Sequence, residues 1–103
     1  MKRTALPLLV IALCALPVAG IASEDLAKSK NCLACHSLDN KILGPAFKEV
    51  AAKYQGDDAA VDALTEKVIK GGSGTWGAVP MPPNPMLSEE DAKTLVIWVL
   101  SLQ

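Results

Sequence analysis

Cys32-Leu33-Ala34-Cys35-His36 is where this 103-residue chain brings thiols and its one histidine together, and the reading of these five residues decides the fold. Two thiols three positions apart can reach the two vinyl groups along one side of a haem, and a histidine directly after the second is carried beneath the iron as proximal ligand. Three other readings of the spacing are weaker. A disulfide across two intervening residues closes a tiny loop and stabilises little. A dithiol redox pair belongs in a thioredoxin-like βαβ setting, and no alternating strand pattern is present. A zinc site needs a fourth ligand and usually a second Cys or His pair, whereas His36 stands alone. Covalent haem attachment is therefore the expected chemistry of Cys32 and Cys35.

The N-terminus supports that reading. Lys2 and Arg3 precede an almost unbroken apolar run from Ala5 to Val18, and Gly20-Ile21-Ala22 offers small residues suited to a signal peptidase. Residues 1–22 are expected to be a cleaved export signal, cut near 22/23 or 23/24, leaving a single domain from residue 24 to 103. Pro7, Pro17 and Gly20 argue against a permanent membrane anchor, and Leu13 before Cys14 does not suit lipid attachment. Without Lys2 and Arg3, the ten basic residues fall to eight against eleven acidic ones, all at or after Glu24. A mature charge near −3 by this count offers no basic stripe for nucleic acid and no polybasic membrane patch. About 80 residues with only Phe47, Tyr54, Trp76 and Trp98 as aromatics make a thin core, and a domain of that size usually needs a staple.

The remaining pattern is helical. Ser23 to Asn31 suits a short helix, with Ser23 as cap and Glu24 and Asp25 in its first turn. Pro45 starts a segment, PAFKEVAAKYQ, in which Phe47, Val50, Ala51 and Tyr54 share one face. Asp57 or Asp58 can cap a helix over about 59–70, with Val61, Leu64, Val68 and Ile69 as its stripe and Gly71 as its stop. Ser88 opens a capping box with Asp91, and Ala92, Leu95, Val96, Val99 and Leu100 recur at buried-face spacing with Trp98 beside them. The expected class is all-α, about four helices around a long middle loop from Gly71 to Leu87.

That loop contains a literal G-x-G-x-x-G at residues 72–77, which follows a helix and leads into prolines, so it lacks the strand–turn–helix context of a dinucleotide site. It also contains Ala78-Val79-Pro80-Met81-Pro82-Pro83-Asn84-Pro85-Met86, which can form neither helix nor central strand. With no second histidine, methionine is the best candidate for the other face of the iron; Tyr54 reads as helix packing. Met81 and Met86 both qualify. Prolines on each side of Met81 would hold its thioether with little left to order, whereas Met86 is placed to pack as the apolar residue before a helix, so Met81 is preferred.

CLACH, LGPAF at 43–47, WGAVPMPPN at 76–84 and the closing amphipathic helix together resemble the small bacterial class I cytochromes c of the c-551 type, also called cytochrome c8. The likeness runs in order through the chain after residue 23. It implies a class I cytochrome c fold wrapped around one covalently bound haem c, with Met81 as axial ligand and Asn84 hydrogen-bonding near its sulfur. It also implies that Trp76 donates its indole N–H to a haem propionate and that the Pro45 carbonyl accepts the Nδ1 proton of His36. Pro85-Met86 after Asn84 departs from the pattern by supplying a second methionine.

An iron with His and Met on its two faces has no free site, so the expected function is electron transfer and not catalysis. The chain is expected to be a monomeric, soluble periplasmic carrier. The resemblance implies a quinol-oxidising complex or another cytochrome as donor, and a nitrite reductase, terminal oxidase or cytochrome c peroxidase as acceptor. Docking is expected at the haem edge near Leu33-Ala34 and Val79 to Pro83, with Lys28, Lys30, Lys41, Lys48 and Lys70 as solvated charges that can steer it. Two other classes are distinguishable: a haem-based small-ligand binder with a labile Met81, and a colourless dithiol oxidoreductase.

Overall fold

The computed structural model describes residues 3–12 and 19–103. Cys14 and the end of the apolar run lie outside the described residues. Residues 3–12 adopt no regular secondary structure, and Leu6, Leu8, Leu9, Val10 and Ile11 are all exposed. No helix among the described residues is long and apolar enough to cross a membrane. The rest forms α1 (Ala19–Ser29), a short 3-10 turn (Cys32–Ala34), α2 (Phe47–Lys53), α3 (Ala60–Lys70) and α4 (Glu89–Ser101). There is no strand among the described residues; the one β feature is an isolated bridge between Gly72 and Met81.

α4 is the hub, packing against α1, α2 and α3. Its start is as the sequence expects: Ser88 Oγ accepts a hydrogen bond from Asp91 N–H at 3.0 Å, while Glu89, Glu90 and Asp91 place negative charge at the helix N-terminus. Ala92, Leu95, Val96 and Trp98 are buried, so Trp98 belongs to the core and does not merely flank it. The core cluster joins Ala92, Leu95 and Trp98 to Ala27 of α1, Phe47 of α2 and Leu87.

Three boundaries differ from expectation for local reasons. α1 begins at Ala19, not after Ser23, which is buried inside it at 7% exposure. Nothing in Ala19 to Ala22 interrupts a helix, so Ser23 has no free turn to cap. α2 begins at Phe47 behind an extended Ala46, whose N–H donates to Glu49 Oε2 at 3.2 Å, so Pro45 lies outside the helix. Leu87, not Met86, is the apolar residue before the Ser88 cap: Leu87 is buried and Met86 is 94% exposed. Leu87 directly precedes the cap, the position from which a side chain turns back onto the helix.

Between α1 and the 3-10 turn, Asn31 caps the turn and is the one non-glycine residue with positive φ among those described, at 62°. Asn tolerates this left-handed conformation, whereas a β-branched residue does not. Asn31→Val is expected to lower stability by about 1–2 kcal/mol and Asn31→Gly to be neutral or slightly stabilising. Thermal denaturation of the two variants checks this, and equal melting temperatures would contradict it.

Candidate haem site

α2, α3, α4 and the 71–87 loop enclose a cavity of about 530 Å³. Its wall includes Phe47, Val50, Leu64, Val68, Leu95 and Val99. Leu64 and Val68 of the α3 stripe line this space, while Val68 and Ile69 also pack against the core cluster, and all four stripe residues, Val61 included, are half-buried. Cys32, Cys35, His36, Pro45, Trp76 and Met81 all line the same cavity. Asn84 does not. Lys41 and Lys67 are the charged side chains on the wall among the described residues.

The cysteine stretch is shaped by its own backbone. Cys35 and His36 N–H groups both donate to Cys32 O, at 3.2 and 3.0 Å, and Gly44 N–H donates to Cys35 O at 2.7 Å. Both cysteines are half-buried, and before attachment burial pushes the Cys32 thiol up from its ordinary range.

His36 is held from several sides. Its Nδ1 donates to Pro45 O at 2.8 Å, which leaves Nε2 without the proton and able to ligate. Phe47 stacks on the imidazole with centroids 5.0 Å apart and planes at 23°, and Trp98 meets Phe47 edge-on at 5.7 Å. Gly44 lies against the ring: a Cβ there would sit 2.5 Å from Cε1 and 2.8 Å from Nδ1. Neither the Gly44 contact nor the Phe47 stack was legible beforehand, because the glycine reads as a turn and the phenylalanine as core. Gly44→Ala is expected to cost about 1–3 kcal/mol by overpacking and to turn the imidazole away from Pro45. Guanidinium denaturation and the His36 Nδ1–H resonance check the two effects; an unchanged resonance would show that the ring has room.

On the far side, Met81 is half-buried in the wall while Met86 points to solvent. Trp76 is 38% exposed at the rim, with the Lys53 ammonium 5.5 Å over its ring and 5.9 Å over that of Tyr54. It is a rim residue and not plain core. Tyr54, read from the sequence as helix packing, is half-buried on the cavity wall. Lys67 Nζ donates to Thr75 Oγ1 at 3.3 Å, pinning the same loop from α3. The Asn84 amide does not address the methionine sulfur; its Nδ2 donates to Val68 O at 2.9 Å and, weakly, to Pro82 O at 3.5 Å.

A covalent anchor pair, a carbonyl-oriented histidine and a thioether thus converge on one large, flat-walled apolar space. The family profile described as Cytochrome c matches residues 22–103. The chain belongs to the cytochrome c family. Cytochrome c-551 of Stutzerimonas stutzeri is 50% identical over 105 residues, covering 100% of both chains. Cytochrome c-551 of Azotobacter vinelandii is 55% identical over 78 residues, 76% of this chain and 94% of that one. The crystal structure of Nitrosomonas europaea cytochrome c552 superposes with a TM-score of 0.76 at 50% identity, covering 78% of this chain and 99% of that one. This cytochrome c has the class I fold and is a mono-haem electron carrier of the c-551/c-552 type. Its haem c is attached covalently through Cys32 and Cys35. The cavity's size and apolar wall fit that group, and the donors on its lining, Lys41, Lys67, Thr75 and Trp76, suit carboxylates.

Proposed function

We propose that this cytochrome c is a soluble periplasmic carrier of single electrons whose iron is ligated by His36 and Met81, with residues 1–22 removed on export. The observation that carries the ligation is that Met81, unlike Met86, sits on the wall of the cavity that His36 enters. Haem c supplies the one-electron Fe(III)/Fe(II) couple. The chain's residues do the rest. Met81 occupies the position a substrate would need, and thioether ligation favours the ferrous state. The apolar wall disfavours the extra ferric charge, so the potential is set on the high side for haem proteins. Pro45 fixes the proton on His36 Nδ1 and so the ring's orientation. Trp76 and Asn84 complete the loop's part of the site, Trp76 toward a propionate at the rim and Asn84 by holding the loop to α3.

The expected cleavage point falls within α1, so the mature chain would begin near Ser23, which then becomes free to act as the helix cap. Leu43 and Val79, 63% and 66% exposed and both on the cavity lining, form a small apolar docking area. Lys28, Lys48 and Lys70 are each paired with a carboxylate, from Glu24, Asp39 and Glu66, and steer less than their number suggests. A quinol-oxidising complex or another cytochrome would donate to this face, and a nitrite reductase, terminal oxidase or cytochrome c peroxidase would accept from it.

The deciding experiment is the absorption spectrum of the exported protein, oxidised and reduced, including the weak near-infrared band of sulfur-to-iron coordination, followed by carbon monoxide. Presence of the band and resistance to carbon monoxide are expected. Ready carbon monoxide binding with no such band would replace the carrier by a ligand-binding protein with a labile methionine.

A further inference from the structure

The segment that holds Met81 is tied to the end of α3 by hydrogen bonds. Gly72 N–H donates to Met81 O at 3.0 Å, and Met81 N–H donates to Gly72 O at 2.8 Å, closing the isolated bridge. Three residues on, Asn84 N–H donates to Ile69 O at 2.9 Å and Asn84 Nδ2 to Val68 O at 2.9 Å. Val68 and Ile69 lie in the last turn of α3, where helix carbonyls have no intrahelical partner. The methionine loop is therefore also the C-terminal cap of α3.

The joint between them is Gly71. Its N–H donates to Lys67 O at 2.7 Å, and its φ of 73° suits glycine. A Cβ on Gly71 would lie 2.5 Å from Met81 O, 2.8 Å from Pro83 N and 3.0 Å from Pro82 C. These are backbone atoms, two of them in prolines, and no rotamer change can clear them.

We propose that Gly71 is the positioning residue for the axial methionine: having no side chain, it lets Met81-Pro82-Pro83 lie directly against the end of α3, so that the last turn of α3 sets the thioether's reach. The proposal rests on Met81 being the ligand. It follows that release of the sulfur requires the α3 terminus to open, and that the loop and the helix end open as one unit.

The test compares Gly71→Ala with Gly56→Ala in the haem-loaded protein. Gly56 also has a positive φ, 76°, but nothing within 4 Å of an added Cβ, so it carries a positive-φ penalty without the collision. Gly71→Ala is expected to weaken or abolish the near-infrared sulfur–iron band and to raise the apparent carbon monoxide affinity of the reduced protein about tenfold or more, because that affinity scales with the sulfur-off fraction. Gly56→Ala is expected to lower the melting temperature yet leave both readouts unchanged. Equal behaviour of the two variants in the band and in carbon monoxide affinity overturns the proposal.

Should Gly71→Ala fail to fold, hydrogen exchange on the unmutated protein decides. The Met81 and Gly71 amides must exchange with matching protection, and a Met81 amide exchanging far faster overturns the joint opening. Met81→Ala, measured alongside, separates the two readings. If it leaves the band intact, the ligand assignment falls and the seat with it. If it abolishes the band while Gly71→Ala does not alter it, only the seat falls.

Discussion

A chain in which Cys32 and Cys35 are both alanine is expected to emerge colourless and without a cooperative unfolding transition. The cavity of about 530 Å³ is the reason. Without the haem its apolar walls would face water instead of packing, a loss that a domain whose whole stability is about 5–15 kcal/mol cannot carry easily. The protein core cannot absorb that loss. Nearly half of its buried apolar side chains are alanines, the larger ones being Phe47, Val50, Leu87, Leu95, Val96 and Trp98, and no large side chain is fully enclosed. Collapse of the helices onto one another is the cheaper course. It would strand Leu64, Val68 and Val99 in new contacts without a defined geometry. Far-ultraviolet circular dichroism with heating tests this. Native helix content and a sharp melt in the colourless chain would show that the haem is not the missing interior.

Met81→Ala should have the largest effect on the electron-transfer function while the haem stays attached. The near-infrared band is expected to vanish and carbon monoxide to bind the reduced form. The midpoint potential is expected to fall by on the order of 0.1–0.2 V, a fraction of the ~0.8 V span that axial ligation covers in haem proteins. The sign follows from losing a ligand that favours ferrous iron and from admitting water to an apolar wall. The corresponding change at Met86, which is almost wholly exposed, should leave spectrum and potential alone. Potentiometry on the two variants settles which methionine is used; a Met86→Ala shift as large as that of Met81→Ala would reverse the assignment.

Much of this was readable in advance where the determinant is local. The Ser88 cap and the Gly71 stop each depend on a few neighbouring residues, and the structure places both as expected. Asp57 and Asp58 do not cap α3: its N-cap is Ala59, without a side-chain hydrogen bond, and Asp57 instead closes a turn before the helix by accepting from Ala59 N–H at 3.0 Å. Ser23 reads as a cap, but such a signal acts only if the chain before it is not helical. Met86 reads as the apolar residue before the cap, because periodicity does not separate that residue from the one before it. The Asn84 amide donates to Val68 O and Pro82 O, partners that depend on where α3 ends in space.

The sequence by itself determined the chemistry: a thiol pair and histidine at fixed spacing, a proline-stiffened methionine and a chain too poor in apolar bulk to fold without a prosthetic group. Those are covalent and compositional properties. Only the tertiary structure decided how the site is supported, with Gly44 and Phe47 against His36, α3 turned toward the cavity and the Met81 strand bridged to Gly72. Each of these is a contact between residues distant along the chain or a space left by a missing side chain. Such contacts arise from packing, which no local pattern encodes.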